Sequence, residues 1–452
     1  YALLPAGYTI LFGSNPQEAA DLAAISYRAS ALSLVPVANA MDGFATSHVM
    51  SEVLLPEPEL LRTYLGDPAG RIPCPTVAQE LLFGAKGRLF QLNAWLDRHG
   101  AEFETKDLAA LRGHLAKHAD AVEAGDETLL DKTMSWVPAA KQGQWRRQWR
   151  NAEAKGTRQL VPALVDPHNP GLTGPVQNQP DFQAGSADHR AHFAGAVPGM
   201  VRQAMAEYAD LTGRSYAPVV AHDCADADLV MVGMGSITDD VRAVLPYLRA
   251  QGLKVGVASV KLLQPFPEAE LVAAIGGAKA VTVLERSDDT ALTRLVTQAL
   301  FRARANAEAE PASRPHPDIP PLAAIPRLTT AIFGLGGHDL QPRHLVAAFA
   351  NMASESPVPL VYLGSQFFTA NPTPAVAAIQ DRLRAAYPET ELMALQTGPN
   401  PEILPPGSLR IRFHSVGGYG TVATGKLLTD LLSSLLGLHS KSAPKYGSEK
   451  SG

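Results

Sequence analysis

Three times along this chain a short apolar run ends in a glycine-bearing turn that leads directly into a helical pattern, and this recurrence narrows the fold more than any other feature. Tyr8 to Leu11 runs into Gly13-Ser14-Asn15-Pro16, and the Ala-rich stretch Gln17 to Leu32 then has helical spacing, with Ile25 and Leu32 on one side. Ala227 to Met231 runs into Gly233-Met234-Gly235-Ser236 and a helix over Thr238 to Ala250, closed by Gly252. Leu409 to Phe413 runs into Ser415-Val416-Gly417-Gly418-Tyr419-Gly420 and a helix over Thr421 to Leu436. In the first case Leu34 to Ala40 supplies a second strand, and strand, helix, strand in that order calls for a parallel sheet with its loops at the carboxyl edge. In the second, Lys254 to Lys261 and Lys279 to Leu284 add strands, with a helix over Glu268 to Ile275 between them. The expected fold class is therefore α/β, with several parallel-sheet domains.

A chain of 452 residues also exceeds a single core, which stops growing near roughly 250–300 residues. Residues 53–160 break the α/β pattern: Pro56, Pro58, Pro68, Pro73 and Pro75 punctuate the start, and amphipathic pieces at Leu108 to Ala121 and Gln144 to Ala154 read as a helical insertion. Asp166-Pro167-His168-Asn169-Pro170 is expected to be extended, because each proline pushes its predecessor out of the helical region. Val197 to Leu211 reads as a helix with Gly213 at its C-cap, and Ala303 to Pro326, rich in Ala, Glu and Pro, reads as a linker. The expected division is 1–52 with 161–215 as a first domain, 53–160 as the insertion, 216–302 as a second domain, 303–408 as linker and connecting segment, and 409–452 as the start of a third domain.

Hydrophobic residues make up 46% of the chain and charged ones 18%, enough apolar surface for packed cores. The net charge of −5 provides no basic field for a phosphate backbone, which argues against nucleic acid as a partner. Arg146, Arg147 and Arg150 around Trp145 and Trp149 read as a solvated helix face. No apolar run is long enough to span a membrane. Cys74 and Cys224 are the only cysteines, so there is no zinc knuckle and no cluster-binding run, and two lone thiols point to a reducing, cytoplasmic setting. A start at Tyr1, without Met or a charged stretch, is expected of a cut fragment rather than of a targeting peptide.

Glycine at a strand-to-helix turn lets the backbone approach an anion while the helix N-terminus offers unpaired N–H groups, although such turns also serve merely to make a bend. Gly13, then Gly233, Gly235 and Ser236, and then Gly417, Gly418, Gly420 and Thr421 are candidates on this ground. The last group best suits a phosphate or nucleotide-like ligand, and none ends in the GK[ST] of a P-loop. The densest polar cluster at a strand end is Asp42-Gly43-Phe44-Ala45-Thr46-Ser47-His48, a carboxylate, two hydroxyls and an imidazole where α/β proteins place ligands. Asp188, His189 and His192 have spacing compatible with a metal, but no third cluster joins them, and a surface loop or cap is the expectation.

Asp42 to His48 resembles the DGFRTSHE signature of pyruvate:ferredoxin oxidoreductases, the 2-oxoacid:acceptor oxidoreductase family. Asn169-Pro170 through Gln177-Asn178 and Asp181 is similar to the segment that follows it, and Leu211 to Tyr216 to the junction into the second domain. Val232 to Ser236, Gly252 to Val257, Leu262 to Phe266 and Val283-Leu284-Glu285-Arg286 resemble that domain's strand-end motifs. Phe333-Gly334-Leu335-Gly336 with Asp339-Leu340 looks like the family's GLGSKDF stretch, and Gly417 to Lys426 with Lys445 to Gly452 resembles the start of the gamma-type domain. The collinear order makes the resemblance far more specific than any one motif.

The resemblance implies a thiamine-diphosphate-binding-fold-like first domain, a transketolase C-terminal-like second and a Rossmann-like third. It implies oxidative decarboxylation of a 2-oxoacid to an acyl-CoA, with thiamine diphosphate and Mg shared with further domains, coenzyme A as co-substrate and iron–sulfur clusters outside this chain. Ferredoxin or flavodoxin would accept the electrons, and a homodimer is implied. Asp42, Gly43, Phe44, Thr46, Ser47, His48, Gln177 and Asn178 become substrate or cofactor candidates, and no catalytic residue is assigned. The segments for the aminopyrimidine and for the diphosphate and metal are expected outside residues 1–452, which would leave the chain inactive alone.

The chain departs from the pattern at Ala45 and Val49, where the signature has Arg and Glu, and at Leu4-Pro5, where Arg-Gln precedes the first strand. One lost guanidinium–carboxylate contact removes on the order of 1.5–3 kcal/mol, so a different oxoacid, or a first domain turned scaffold, is expected. A second reading is therefore a non-catalytic assembly scaffold in a flavoprotein reductase. A third is an acyl-CoA or nucleotide-binding protein using Gly417 to Thr421.

Overall fold

The structure, a computed structural model, describes residues 1–163, 177–338, 340–415 and 418–443. Asp166 to Pro170, Asp339, Gly417 and Lys445 to Gly452 lie outside the described residues. The chain divides into two compact units: residues 1–29, 36–57 and 201–452 form one, and residues 30–35 with 58–200 form the other.

The first unit holds two sheets. Strands β1 (Thr9–Gly13) and β2 (Val37–Met41) are parallel and joined through helix α1 (Pro16–Ser33), the expected strand, helix, strand arrangement. After α2 (Val197–Thr212) come β3 (Val219–His222), β4 (Leu229–Gly233), α3 (Ile237–Ala250), β5 (Val255–Val260), β6 (Leu262–Gln264), α4 (Glu268–Ile275), β7 (Ala280–Glu285) and α5 (Ala291–Glu308). Strand β6 pairs antiparallel with β1 and completes a three-stranded sheet in the order β2-β1-β6.

The larger sheet has the order β9-β8-β7-β4-β5-β3, where β8 is Arg327–Phe333 and β9 is Leu360–Leu363. All its pairings are parallel except that of the edge strand β3 with β5. Its central strands are buried throughout because helices cover both faces. The side chains of Val230, Val232, Val281 and Val283 enter one core with Leu271 of α4 and Val296 of α5. Their neighbours Leu229, Met231, Val255 and Val257 point the other way, into a core with Val241 of α3 and Phe349 of α6 (Pro342–Ala353). Largely apolar strands thus follow from burial on two sides.

Three expectations change. Residues 327–363, placed above in the connecting segment, supply two strands and a helix to this same sheet, and the first part of the expected linker is the end of α5. Leu409 to Phe413 does not form a strand: Leu409, Ile411 and Phe413 are exposed, and no neighbouring strand pairs with them among the described residues. Alternating apolar residues give a strand only where a partner takes up the backbone hydrogen bonds. The helix that follows, α7 (Thr421–Asp430), continues into a π-helical turn at Leu431–Leu435.

The second unit is helical, as the insertion was expected to be, with one antiparallel pair of short strands, Arg71–Pro73 and Thr157–Gln159. Its core gathers Leu92, Trp95, Leu96, Leu111, Leu115, Trp145 and Trp149. The indole N–H of Trp145 donates to Oγ1 of Thr133 at 2.8 Å, which satisfies a polar group that burial would otherwise strand. Arg150 forks onto Glu127 in two contacts of 2.8 Å, so this arginine belongs to a solvated face, as read from sequence. Arg158 is fully buried and donates to Gln79 and to the carbonyls of Leu160, Ala31 and Leu32. A buried guanidinium persists when its donors are paired in this way.

Candidate functional site: a crevice at the carboxyl edge of the first unit

Parallel strands within a sheet end together, and hydrogen bonds bring the segments just past β1 and β2 of the small sheet against those just past β4, β5 and β7 of the large one. Asp42 follows β2 and is the hub. One carboxylate oxygen accepts the backbone N–H of Ser236 at 2.5 Å, the other accepts Nη1 of Arg286 at 3.1 Å, and the side chain is only 10% exposed. Its own carbonyl accepts the amides of Thr46 and Ser47 and folds the loop back on itself.

The glycine turn after β4 is shaped to this carboxylate. Gly235 has φ +79°, and a Cβ there would stand 2.4 Å from Oδ2 of Asp42 and 2.9 Å from the ring of Phe12. Only glycine allows both the conformation and the approach. Gly13 plays a similar part at the end of β1, where a Cβ would meet the amide nitrogen of Ala19 in α1 at 2.9 Å.

Beneath the loop lies a polar network. Nζ of Lys261, just past β5, donates to Oγ of Ser14 and to Oε2 of Glu18, both at 2.6 Å, and the amide of Ser14 donates to the same carboxylate oxygen at 2.7 Å. Ser14, Thr238 and Ser259 are linked through their hydroxyls at 3.1 and 2.9 Å, and Thr238 also donates to the carbonyl of Gly235. One proton assignment satisfies every contact: Ser14 accepts from Lys261 and donates to Thr238, Thr238 donates to Gly235, and Ser259 donates to Thr238. Oγ1 of Thr46 reaches the carbonyl of Ser14 at 3.4 Å, which ties the Asp42 loop to the same network.

On the outer side of the loop, Phe44 is exposed at φ +56° and its ring stacks on His48 at 4.5 Å. Oγ of Ser47 accepts the amide of Phe44 and pairs with Nδ1 of His48 at 2.8 Å. Ser47 and His48 are therefore the loop's exposed polar groups, whereas Asp42 and Thr46 are turned inward. Next to Arg286, Glu285 is buried and accepts from the hydroxyl of Tyr1 at 3.0 Å and the amide of Thr293 at 2.6 Å. Burial pushes its carboxyl above the ordinary range, against the pull of those donors.

Of the residues singled out from sequence, Asp42, Gly43, Phe44, Thr46, Ser47, His48, Gly233, Gly235 and Ser236 meet in this crevice. Gly418, Gly420 and Thr421 form a separate turn: Gly420 caps α7 at φ +76°, and Thr421 bonds Ser415. Gly417 lies outside the described residues. Gln177 and Asn178 belong to the second unit, exposed at the start of a helix spanning Gln179–Asp188. His192 stands 3.7 Å from Asp188 across one helical turn, and no three His, Cys, Asp or Glu side chains converge on a metal position among the described residues. Glu18, Lys261, Thr238 and Ser259 were missed, and Arg286 was noted only as part of a motif. The usable signal was position: Lys261 and Glu285-Arg286 each put charge at the carboxyl end of a largely apolar strand.

Comparison with known proteins places two domain models on this chain. Residues 1–73 match the pyruvate flavodoxin/ferredoxin oxidoreductase thiamine diphosphate-binding domain, and residues 227–309 match pyruvate:ferredoxin oxidoreductase core domain II. A pyruvate-flavodoxin oxidoreductase of Nostoc sp. is 26% identical over 64% of this chain and 22% of its own length. The pyruvate synthase subunit PorA of Thermotoga maritima is 29% identical over 41% of this chain and 43% of its own length. This chain thus spans about a fifth of the first of these relatives and less than half of the second. A solved 2-oxoglutarate:ferredoxin oxidoreductase from Magnetococcus marinus overlaps 40% of this chain and 25% of its own at 19% identity, with a TM-score of 0.24, too low to bear on the site.

Proposed function

From a chain that carries two domains of the pyruvate:ferredoxin oxidoreductase family, we propose a component of a thiamine-diphosphate-dependent 2-oxoacid:acceptor oxidoreductase that converts a 2-oxoacid to an acyl-CoA. The observation that carries this reading is the meeting of the Asp42–His48 loop, at the end of the small sheet, with the Gly233–Ser236 turn, at the end of the large one, through Asp42. The loop lies within the match over residues 1–73 and the turn within the match over residues 227–309, so the carboxylate joins segments of the two matched domains.

Thiamine diphosphate, when bound, supplies the electron sink for loss of carbon dioxide from the oxoacid. The residues present suit one side of such a site. Thr46 and Asp42 fix the loop, Ser47 and His48 offer a hydroxyl and an imidazole, and Lys261 with Glu18 balances charge beneath it. A charge-balanced, prearranged polar edge orients a charged substrate without reorganising during the reaction. The diphosphate, its Mg and the iron–sulfur clusters would be held by other segments or partner chains, since this sequence has only two cysteines, both unpaired. The turn at Gly418, Gly420 and Thr421 is the place proposed for coenzyme A. Ferredoxin or flavodoxin as acceptor, a homodimeric assembly and a cytoplasmic setting belong to the same proposal; no helix among the described residues is long and apolar enough to cross a membrane.

The native protein containing this chain is expected to reduce a viologen dye when given a 2-oxoacid and coenzyme A. A panel of several 2-oxoacids that yields no reduction would contradict the reading. The scaffold alternative draws on one observation: both carboxylate oxygens of Asp42 are already engaged within the protein. It predicts no turnover with any oxoacid, so the same assay decides between the two.

A further inference from the structure

We propose that Arg286 binds the carboxylate of the substrate and that Asp42 is the positioning residue that aims it. The proposal rests on the oxoacid reading above and adds the residue that would hold the acid group. Arg286 follows β7 directly, at the edge where ligands of open α/β sheets sit. Its stem lies along the turn after β8: a Cβ built on Gly334 would stand 3.4 Å from Nε and 3.6 Å from Cγ. Its head is fixed by one hydrogen bond, Nη1 to Asp42 at 3.1 Å, while the side chain stays 42% exposed.

Among the described residues Nε and Nη2 make no hydrogen bond within the protein, so the fork that suits a carboxylate remains available. Lys261, the other cation of the crevice, is 3% exposed and committed to Ser14 and Glu18, which leaves it no reach to a ligand. A guanidinium gripped by a carboxylate at one nitrogen and open at the others is preorganised, and lysine cannot copy it, because an ammonium lacks the planar fork.

The probe is oxamate, an unreactive mimic of a 2-oxoacid, titrated calorimetrically into the native protein. Arg286→Gln is expected to weaken oxamate binding about tenfold or more, the effect of losing a charge-assisted pair. Arg286→Lys, which keeps the stem, should fall between the two and carries the test if the glutamine variant does not fold. In turnover the KM for the oxoacid should rise by a similar factor, with kcat held within about twofold, the pattern of lost uniform binding. Asp42→Asn should weaken oxamate by a smaller factor, and no change there would overturn the positioning role. Equal oxamate affinity in wild type and both Arg286 variants, or no oxamate binding by wild type, would overturn the proposal. Absent turnover with intact, Arg286-dependent oxamate binding would instead count against the oxidoreductase reading alone.

Discussion

Replacing Asp21 by alanine is expected to lower the stability of the first unit by about 3–5 kcal/mol, the range for breaking a buried charge pair. Asp21 lies on α1, fully buried. Arg214 forks onto it at 2.7 and 3.0 Å, the hydroxyls of Tyr208 and Tyr216 donate at 2.5 and 2.6 Å, and Gln17 adds an amide at 3.1 Å. Removing the carboxylate takes away the acceptor that Arg214, Tyr208, Tyr216 and Gln17 share, and leaves the guanidinium, among the described residues, with only the Leu54 carbonyl and the Tyr208 hydroxyl. Denaturant unfolding would measure the loss, and a cost below about 1 kcal/mol, the level of an exposed pair, would contradict this account of how α1 is held.

The same cluster predicts a pH dependence. Burial pushes the carboxyl of Asp21 up, but the donors from Arg214, Tyr208, Tyr216 and Gln17 outweigh burial and hold it below its usual 3.8. A group depressed on folding stabilises above its unfolded value and ceases to do so as pH falls through the folded one. Asp21→Asn should therefore flatten the acid limb of the stability curve below about pH 4. Tyr208, burdened by burial and by the carboxylate it serves, is pushed up to about 12 and stays a donor throughout this range.

The second large effect is expected at Gly235. Valine there would have to adopt φ +79° and place its Cβ against Asp42 and Phe12. The left-handed conformation costs roughly 1–2 kcal/mol and overpacking roughly 1–3 kcal/mol, so the variant should lose about 2–5 kcal/mol. The strain falls on the Asp42 loop, so amides 42–48 should lose hydrogen-exchange protection while those of the central strand β7 keep theirs. Unchanged protection in the loop would mean that the glycine turn does not brace it.

Much of this architecture is legible in the sequence because parallel strands covered on both faces must be apolar nearly throughout. Val230-Met231-Val232 and Val281-Thr282-Val283-Leu284 announce themselves in this way, and the helices between them follow from spacing and from C-terminal glycines such as Gly213 and Gly252. Periodicity could not separate Leu409 to Phe413 from a true strand, because pairing depends on a neighbour that local pattern does not record. Strands β8 and β9 were passed over for the opposite reason: their sheet was already closed in the reading at Leu284, and only the register of β8 against β7 extends it.

The crevice was half visible. Asp42 to His48 and Gly233 to Ser236 stood out as polar or glycine-rich turns after apolar runs. That the first is hydrogen-bonded to the second across 194 positions is a property of the fold alone. Lys261 and Arg286 were hidden because a single charge after a strand is common, and what distinguishes these two is what faces them: Glu18 and Ser14 for one, Asp42 for the other. Asp42 itself reads differently in three dimensions, as a brace that two protein donors occupy rather than as a group open to a ligand.

The central claim, that this edge is part of a thiamine enzyme, is tested most directly by calorimetric titration of thiamine diphosphate, with Mg present, into cofactor-stripped native protein containing this chain. The account predicts saturable binding stoichiometric with the chain, weakened when Gly235→Val displaces the Asp42 loop. No binding to a folded, fully assembled protein would contradict it.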